Sequence, residues 1–184
     1  MGFFRIVAPL NLPLSMAGVT LGDRLVVVGC GDPTLVAELA LKTGLTGRAC
    51  AVDASEARRA KADAAIAREG ALVDTVTAPW TALPYDDAAF DVAVIRNVLP
   101  TVAAAERSEC LREVLRILRP GGRCLVIDGT ASGLAEWLGR SGGRGEPGYD
   151  AVVALGSAGF RAVRSLARRG GLAFAEGVRA NVEC

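Results

Sequence analysis

Three groups of residues in this sequence have the types and spacing to do chemistry. The first is the turn Gly29-Cys30-Gly31, with Asp32 behind it, directly after the apolar run Leu25-Val26-Val27-Val28. Small residues there let backbone amides approach a ligand, and the run itself reads as a strand buried on both faces. The second is Asp53, followed by Ala54, which closes a short apolar segment roughly 20 residues further on. At that spacing an acid on a second strand takes both hydroxyls of a ribose. The third is a set of polar groups ending two later apolar segments, Arg96 and Asn97 after FDVAVI and Asp128 after RCLVI. Glycine turn and acid together point to a ligand with a nucleoside, a signal that a nicotinamide-dependent dehydrogenase would share.

The totals bound what these groups can belong to. The chain has 184 residues, 51% of them hydrophobic, enough for one filled core, and residues 1–184 read as a single domain. Its 21 basic and 20 acidic side chains leave a net charge of +1 with no block of like charge, which argues against a nucleic-acid partner. Histidine is absent, and the five cysteines, Cys30, Cys50, Cys110, Cys124 and Cys184, form no Cys-x-x-Cys pair. Imidazole acid-base chemistry is excluded, no metal site is expected, and the thiols read as reduced and packed, as in a cytoplasmic protein. No apolar run approaches the roughly 20 residues of a membrane span. The opening MGFFRIVAPLNLPLSMAGV lacks the layout of a secretory leader. Phe3, Phe4, Ile6 and Leu10 make residues 1–20 a greasy extension, expected to cover a core edge or a partner subunit; a lipid surface or an apolar substrate is the alternative.

The elements that must position these groups alternate along the chain. After the strand at 25–28, Asp32 caps a helix from Pro33 to Lys42, with proline where a missing N–H costs nothing. A strand at 48–52, a helix at 57–68 capped by Ser55, and a strand at 72–77 follow. Phe90–Ile95 is a fourth strand, 106–118 an amphipathic helix ended sharply by Pro120-Gly121-Gly122, and 123–128 a fifth strand. Repeated strand-helix alternation demands a parallel sheet covered on both faces. Residues 131–139 suggest a short helix and 140–148, RSGGRGEPG, a mobile loop, so 129–148 reads as a flexible insertion. A helix at 149–157 precedes strands at 160–167 and 172–178, whose tight turn Arg168-Arg169-Gly170-Gly171 implies an antiparallel hairpin at the sheet edge.

Two segments go further than the glycine turn. CLREVLRILRPGGRCLVID, at 110–128, and LPYDDAAFDVAVIRNVL, at 83–99, resemble the class I S-adenosylmethionine-dependent methyltransferases, the small-molecule kind related to ubiquinone and menaquinone methylases. The resemblance covers about Leu21 to Asp128 and, less strongly, the terminal hairpin. It implies an α/β, Rossmann-like three-layer sandwich whose seven-stranded, mostly parallel sheet ends in an antiparallel C-terminal hairpin. It implies S-adenosylmethionine as cofactor across the carboxyl ends of strands one to four. Carried over by position, Gly29, Cys30 and Gly31 would meet the methionine portion, with Asp32 supplying a polar group at that corner. Asp53 would bind the ribose hydroxyls, with Ala54 beside it. Pro79 and Trp80 would line the adenine, and Arg96 and Asn97 would lie beneath the sulfonium and the substrate.

Three positions depart from the family pattern: Val27 stands where an acid is usual within strand one, Pro33 at the last glycine of the turn, and Pro79 where an acid commonly holds the adenine amino group. The expected function is methyl transfer to a small-molecule acceptor that is anionic or easily ionised, because an activated sulfonium needs alignment more than catalytic side chains. Asn97, Asp128 and Tyr85 are the candidate helpers. Each also has a plain structural reading: Asp128 as a cap near Ser132, Asn97 as a partner for strand-end backbone, Tyr85 as an anchor, and Trp80 as a core plug. The alternatives in function are a catalytically degenerate binding or scaffold protein of the same fold and, less favoured, a nicotinamide-dependent oxidoreductase, which lacks a Tyr-x-x-x-Lys dyad here. Because relatives often carry an N-terminal lid, the pocket is expected to be open, closed by RSGGRGEPG, or completed by a second subunit in a homodimer.

Overall fold

The computed structural model describes residues 11–129 and 149–181. The apolar residues 3, 4, 6 and 10, the helix and loop expected over 131–148, and Cys184 lie outside the described residues.

Strands β1 (Arg24–Val28), β2 (Arg48–Asp53), β3 (Asp74–Thr77), β4 (Phe90–Arg96), β5 (Leu118–Gly129), β6 (Arg161–Arg169) and β7 (Leu172–Val178) form one sheet in the order β3-β2-β1-β4-β5-β7-β6. The first five are parallel, and β7 runs antiparallel between β5 and β6, as expected. Helices α1 (Asn11–Ala17), α2 (Pro33–Thr43) and α3 (Glu56–Arg68) cover one face, and α4 (Ala104–Ile117) and α5 (Ala151–Ser157) the other. Strand periodicity divides the core: Leu25 and Val27 pack toward the first set of helices, Val26 and Val28 toward the second. Val27, the departure from an acid in strand one, is a core residue.

Several boundaries differ from expectation for identifiable reasons. Leu72 is 80% exposed, and β3 begins only at Asp74, where pairing with Cys50 starts. Pro120-Gly121-Gly122 does not end the helix. Helix α4 ends at Ile117, Leu118 already pairs with Phe90, and the Pro-Gly-Gly stretch forms an irregularity inside β5 before pairing resumes at Val92 and Arg123. Gly170 and Gly171 alone make the hairpin turn, both at positive φ, so Arg168 and Arg169 belong to β6. Helix α1, absent from the sequence reading, is fastened by the Arg123 guanidinium, which donates to the Met16 and Ala17 carbonyls at its end.

At the amino ends of the strands, Asp91 accepts the Arg24 N–H at 2.8 Å and Arg24 Nε at 3.1 Å, and pairs with Arg119. Burial pushes this carboxyl up, but the arginine bonds outweigh it and hold the group at about 2. The amino ends of β1, β4 and β5 are thereby locked, leaving the carboxyl ends to form the crevice.

Candidate cofactor and acceptor site

The chain builds outward from β1 in both directions, to β2 and β3 on one side and to β4 and β5 on the other. The crevice above β1 and β4 is therefore the topological switch point, where open α/β sheets bind ligands. Asp53, Arg96 and Asp128 stand at the carboxyl ends of β2, β4 and β5. With strands roughly 4.8 Å apart, they are spread over about 15 Å, the length scale of an extended nucleoside-amino acid conjugate.

The glycine turn earns both its glycines. Gly29 sits at φ +100°, its N–H donates to Val52 at 2.9 Å, and an added Cβ would lie 2.6 Å from the Arg96 carbonyl oxygen. Gly31 is exposed, and an added Cβ there would meet nothing within 4 Å. One glycine lets β4 close on the turn; the other leaves a cradle open above it. Asp32 caps α2, its Oδ1 accepting the Leu35 N–H at 3.2 Å, with Pro33 in the first turn as the sequence predicts. Cys30 is buried, and its thiol is pushed up to about 12 by burial and then by the Asp53 charge, which favours the protonated thiol. The four described cysteines are buried and free.

Asp53 is only 1% exposed, yet its carboxylate is fully bonded. Oδ2 accepts the Cys30 N–H at 3.0 Å, Oδ1 accepts the Ser55 N–H at 2.8 Å, and the Arg58 guanidinium bonds to both oxygens. Ser55 caps α3 as predicted, and that cap brings Arg58, one turn into the helix, back over Asp53. Nothing in the sequence reading singled out Arg58. The capped turn after the acid was the only signal that could have done so.

At the other end of the crevice Asp128 is 6% exposed. The Tyr149 hydroxyl donates to its Oδ2 at 2.8 Å, while Oδ1 is buried without a partner. The Arg107 guanidinium lies 4.5 Å from the Tyr149 ring centroid. Burial raises the Asp128 carboxyl to about 6, against the opposing effects of the Tyr149 bond and of Arg96 and Arg107. Arg96 is also largely buried; its Nε and Nη1 have no hydrogen-bond partner and its Nη2 lies 3.7 Å from Asp32. Buried donors without acceptors on Arg96 and a buried acceptor without donors on Asp128 thus stand near one another at the carboxyl ends of β4 and β5.

The raised carboxyl has a consequence for stability. The folded chain holds its Asp128 proton to a higher pH than the unfolded chain does, so this group's contribution to stability is fully present below the ordinary aspartate value and is lost as pH rises toward about 6. Asp128→Asn, neutral at every pH, is expected to be more stable than the parent at pH 8 by up to about 3 kcal/mol and equal to it near pH 4. Denaturant unfolding at the two pH values checks this.

Other predicted site residues are placed differently. Trp80 is 6% exposed and belongs to the core cluster on the α4 side of the sheet, so it fills the core as a plug and presents no open face for adenine. Pro79, next to it, is exposed at the end of β3, and Ala54 is exposed beside Asp53. Asn97, at φ +51°, donates its N–H to the Ile127 carbonyl and accepts the Gly129 N–H on Oδ1 at 2.7 Å. Its oxygen joins β4 to β5, which is the structural role weighed for it above. Tyr85 is corrected as a helper: its ring packs edge-on against Phe90, 4.9 Å between centroids, at the amino end of β4 and far from the crevice. Among the described residues no cluster of cysteine and carboxylate side chains is arranged to hold a metal, and no helix is long and apolar enough to cross a membrane.

The family model of a methyltransferase domain matches residues 26–126, from within β1 to within β5, a span that contains the glycine turn and Asp53. The chain belongs to the class I S-adenosylmethionine-dependent methyltransferase family. Over 120 residues this methyltransferase domain is 30% identical to the ubiquinone/menaquinone biosynthesis C-methyltransferase UbiE of Pseudomonas putida, covering 62% of this chain and 45% of that protein. Over 122 residues it is 27% identical to the chloroplastic 2-phytyl-1,4-beta-naphthoquinone methyltransferase of Arabidopsis thaliana, covering 64% and 46%. The chain thus spans about half the length of the curated relatives it matches. Among solved structures, a SAM-dependent methyltransferase from Aquifex aeolicus superimposes with a TM-score of 0.79 at 20% identity, covering 94% of this chain and 90% of that one. That likeness establishes the seven-stranded fold of the methyltransferase domain.

Proposed function

We propose that this methyltransferase domain binds S-adenosylmethionine and transfers its methyl group to a small-molecule acceptor. The observation that carries the reading is the buried Asp53 carboxylate, bonded to the Cys30 N–H across the glycine turn at the switch point of the sheet. Asp53 and Ala54 would hold the ribose, Pro79 would border the adenine, and Gly29, Cys30, Gly31 and Asp32 would face the methionine portion. The unpartnered N–H groups of Arg96 suit the carboxylate of that portion. The cofactor supplies an electrophilic methyl group on a sulfonium; the protein's part is to align it and exclude water.

On the acceptor side, Asp128 is the candidate proton acceptor. Tyr149 fixes its Oδ2 and leaves Oδ1 free, and a carboxyl titrating at about 6 is ionised at neutral pH while remaining basic enough to take a proton from an acidic hydroxyl or carbon acid. Asn97 would hold the strand ends that carry Arg96 and Asp128 in register. Relatives named as quinone and naphthoquinone methyltransferases favour an aromatic acceptor with ionisable hydroxyls.

Calorimetric titration with S-adenosylhomocysteine and with S-adenosylmethionine tests the cofactor. Saturable binding is expected, with thermal stabilisation in proportion to ligand. No heat and no stabilisation at millimolar ligand would leave a degenerate binding protein of the same fold.

A further inference from the structure

Asp53 has a carboxylate with room for about four hydrogen bonds. Two are taken by the backbone amides of Cys30 and Ser55, which the glycine turn and the α3 cap fix in place. The rest are held by Arg58, whose Nε lies 3.0 Å from Oδ1 and 3.2 Å from Oδ2, and whose Nη2 lies 2.9 Å from Oδ1. A ribose diol must donate to this same carboxylate, so ribose and guanidinium compete for one set of lone pairs.

The two partners differ in freedom. The Asp53 side chain is 2% exposed and cannot move out; the Arg58 side chain is 57% exposed and can. The adjacent Arg59 makes a useful contrast, because it is tied down by Glu56, Asp63, Thr75 and Thr77 together. Arg58 has Asp53 as its one carboxylate partner among the described residues. Only the guanidinium end of this pair faces solvent, so salt and water compete for Arg58 while Asp53 stays enclosed.

We propose that Arg58 is an affinity-setting latch, occupying the ribose seat on Asp53 in the ligand-free protein and swinging into solvent when a nucleoside enters. This rests on the reading of Asp53 as the ribose ligand. Two consequences of opposite sign follow. Removing the guanidinium leaves a buried carboxylate without its counter-charge, which lowers the stability of the ligand-free protein. It also removes the competitor, which tightens nucleoside binding.

Titration of the parent, Arg58→Met and Arg58→Lys with S-adenosylhomocysteine, a ligand with no net charge, at 50 and at 500 mM NaCl tests both, alongside thermal unfolding without ligand. Arg58→Met is expected to melt lower and yet bind roughly three- to tenfold tighter at low salt. Arg58→Lys, which keeps the charge and loses the fork, should fall between and serves alone if the methionine variant does not fold. High salt should tighten binding by the parent and leave Arg58→Met nearly unchanged. Variants that bind equally or more weakly while the parent binds would overturn the latch and spare the cofactor reading. Absence of binding in the parent and both variants would overturn the cofactor reading, and the latch with it.

Discussion

Asp53→Ala is expected to weaken S-adenosylhomocysteine binding by about 100-fold or more. Two bonds from ribose hydroxyls to an ionised, water-excluded carboxylate are together worth roughly 3 kcal/mol or above, and no neighbouring group can replace them. The same substitution strands the Cys30 and Ser55 amides and frees Arg58, so a loss of stability accompanies it. Asp53→Asn separates the effects. Its carboxamide oxygen can still accept one backbone N–H and its volume is unchanged, so it loses less stability than Asp53→Ala although its NH2 faces the other amide, while at least a tenfold loss of affinity should remain because the charge and one acceptor are gone. Calorimetry for affinity and chemical denaturation for stability read the two quantities independently. Unchanged affinity in a folded Asp53→Asn would remove the ribose assignment.

The second large effect is on folding. At Gly29 an added side chain meets both a backbone at φ +100° and the Arg96 carbonyl oxygen at 2.6 Å, and neither can give way without moving β4. Gly29→Ala is expected to cost roughly 3 kcal/mol, lowering the melting temperature by about 6–12 °C. Gly31→Ala supplies the contrast: its Cβ projects into open space and its φ is not positive, so it should melt within a degree or two of the parent. If a ligand lies against the turn, Gly31→Ala should nevertheless bind S-adenosylhomocysteine several-fold more weakly. Differential scanning calorimetry of both variants, with and without ligand, distinguishes a glycine needed by the fold from one needed by the crevice.

Much of the framework was legible because it is written locally. Leu25–Val28 and Ala49–Val52 are apolar runs, Phe90–Ile95 is one apart from Asp91, and near-continuous apolar runs of this length are the mark of buried parallel strands. Ser55 and Asp32 announce their helices through caps that depend on three or four neighbouring residues. The error at Pro120-Gly121-Gly122 has the same root: proline and glycine signal a break in a helix, but only the pairing of Leu118 with Phe90 on another strand shows that β5 has already begun. Helix α1 was missed because its anchor, Arg123, lies over 100 residues away in sequence.

For the site, the sequence by itself determined which residues would stand at the carboxyl ends of the strands, since the strand alternation and the positions of Gly29, Asp53, Arg96 and Asp128 fix that end of the sheet. Only the tertiary structure decided what each side chain meets there. Trp80 turned into the core, Tyr85 settled at the opposite end of β4, Arg58 folded back onto Asp53, and Tyr149 reached Asp128 across 21 residues of chain. The physical reason is one of range. Strand and helix formation answer to the period of nearby residues, whereas the partner of a buried charge is whichever donor the packed chain brings within about 3 Å, and periodicity carries no record of that.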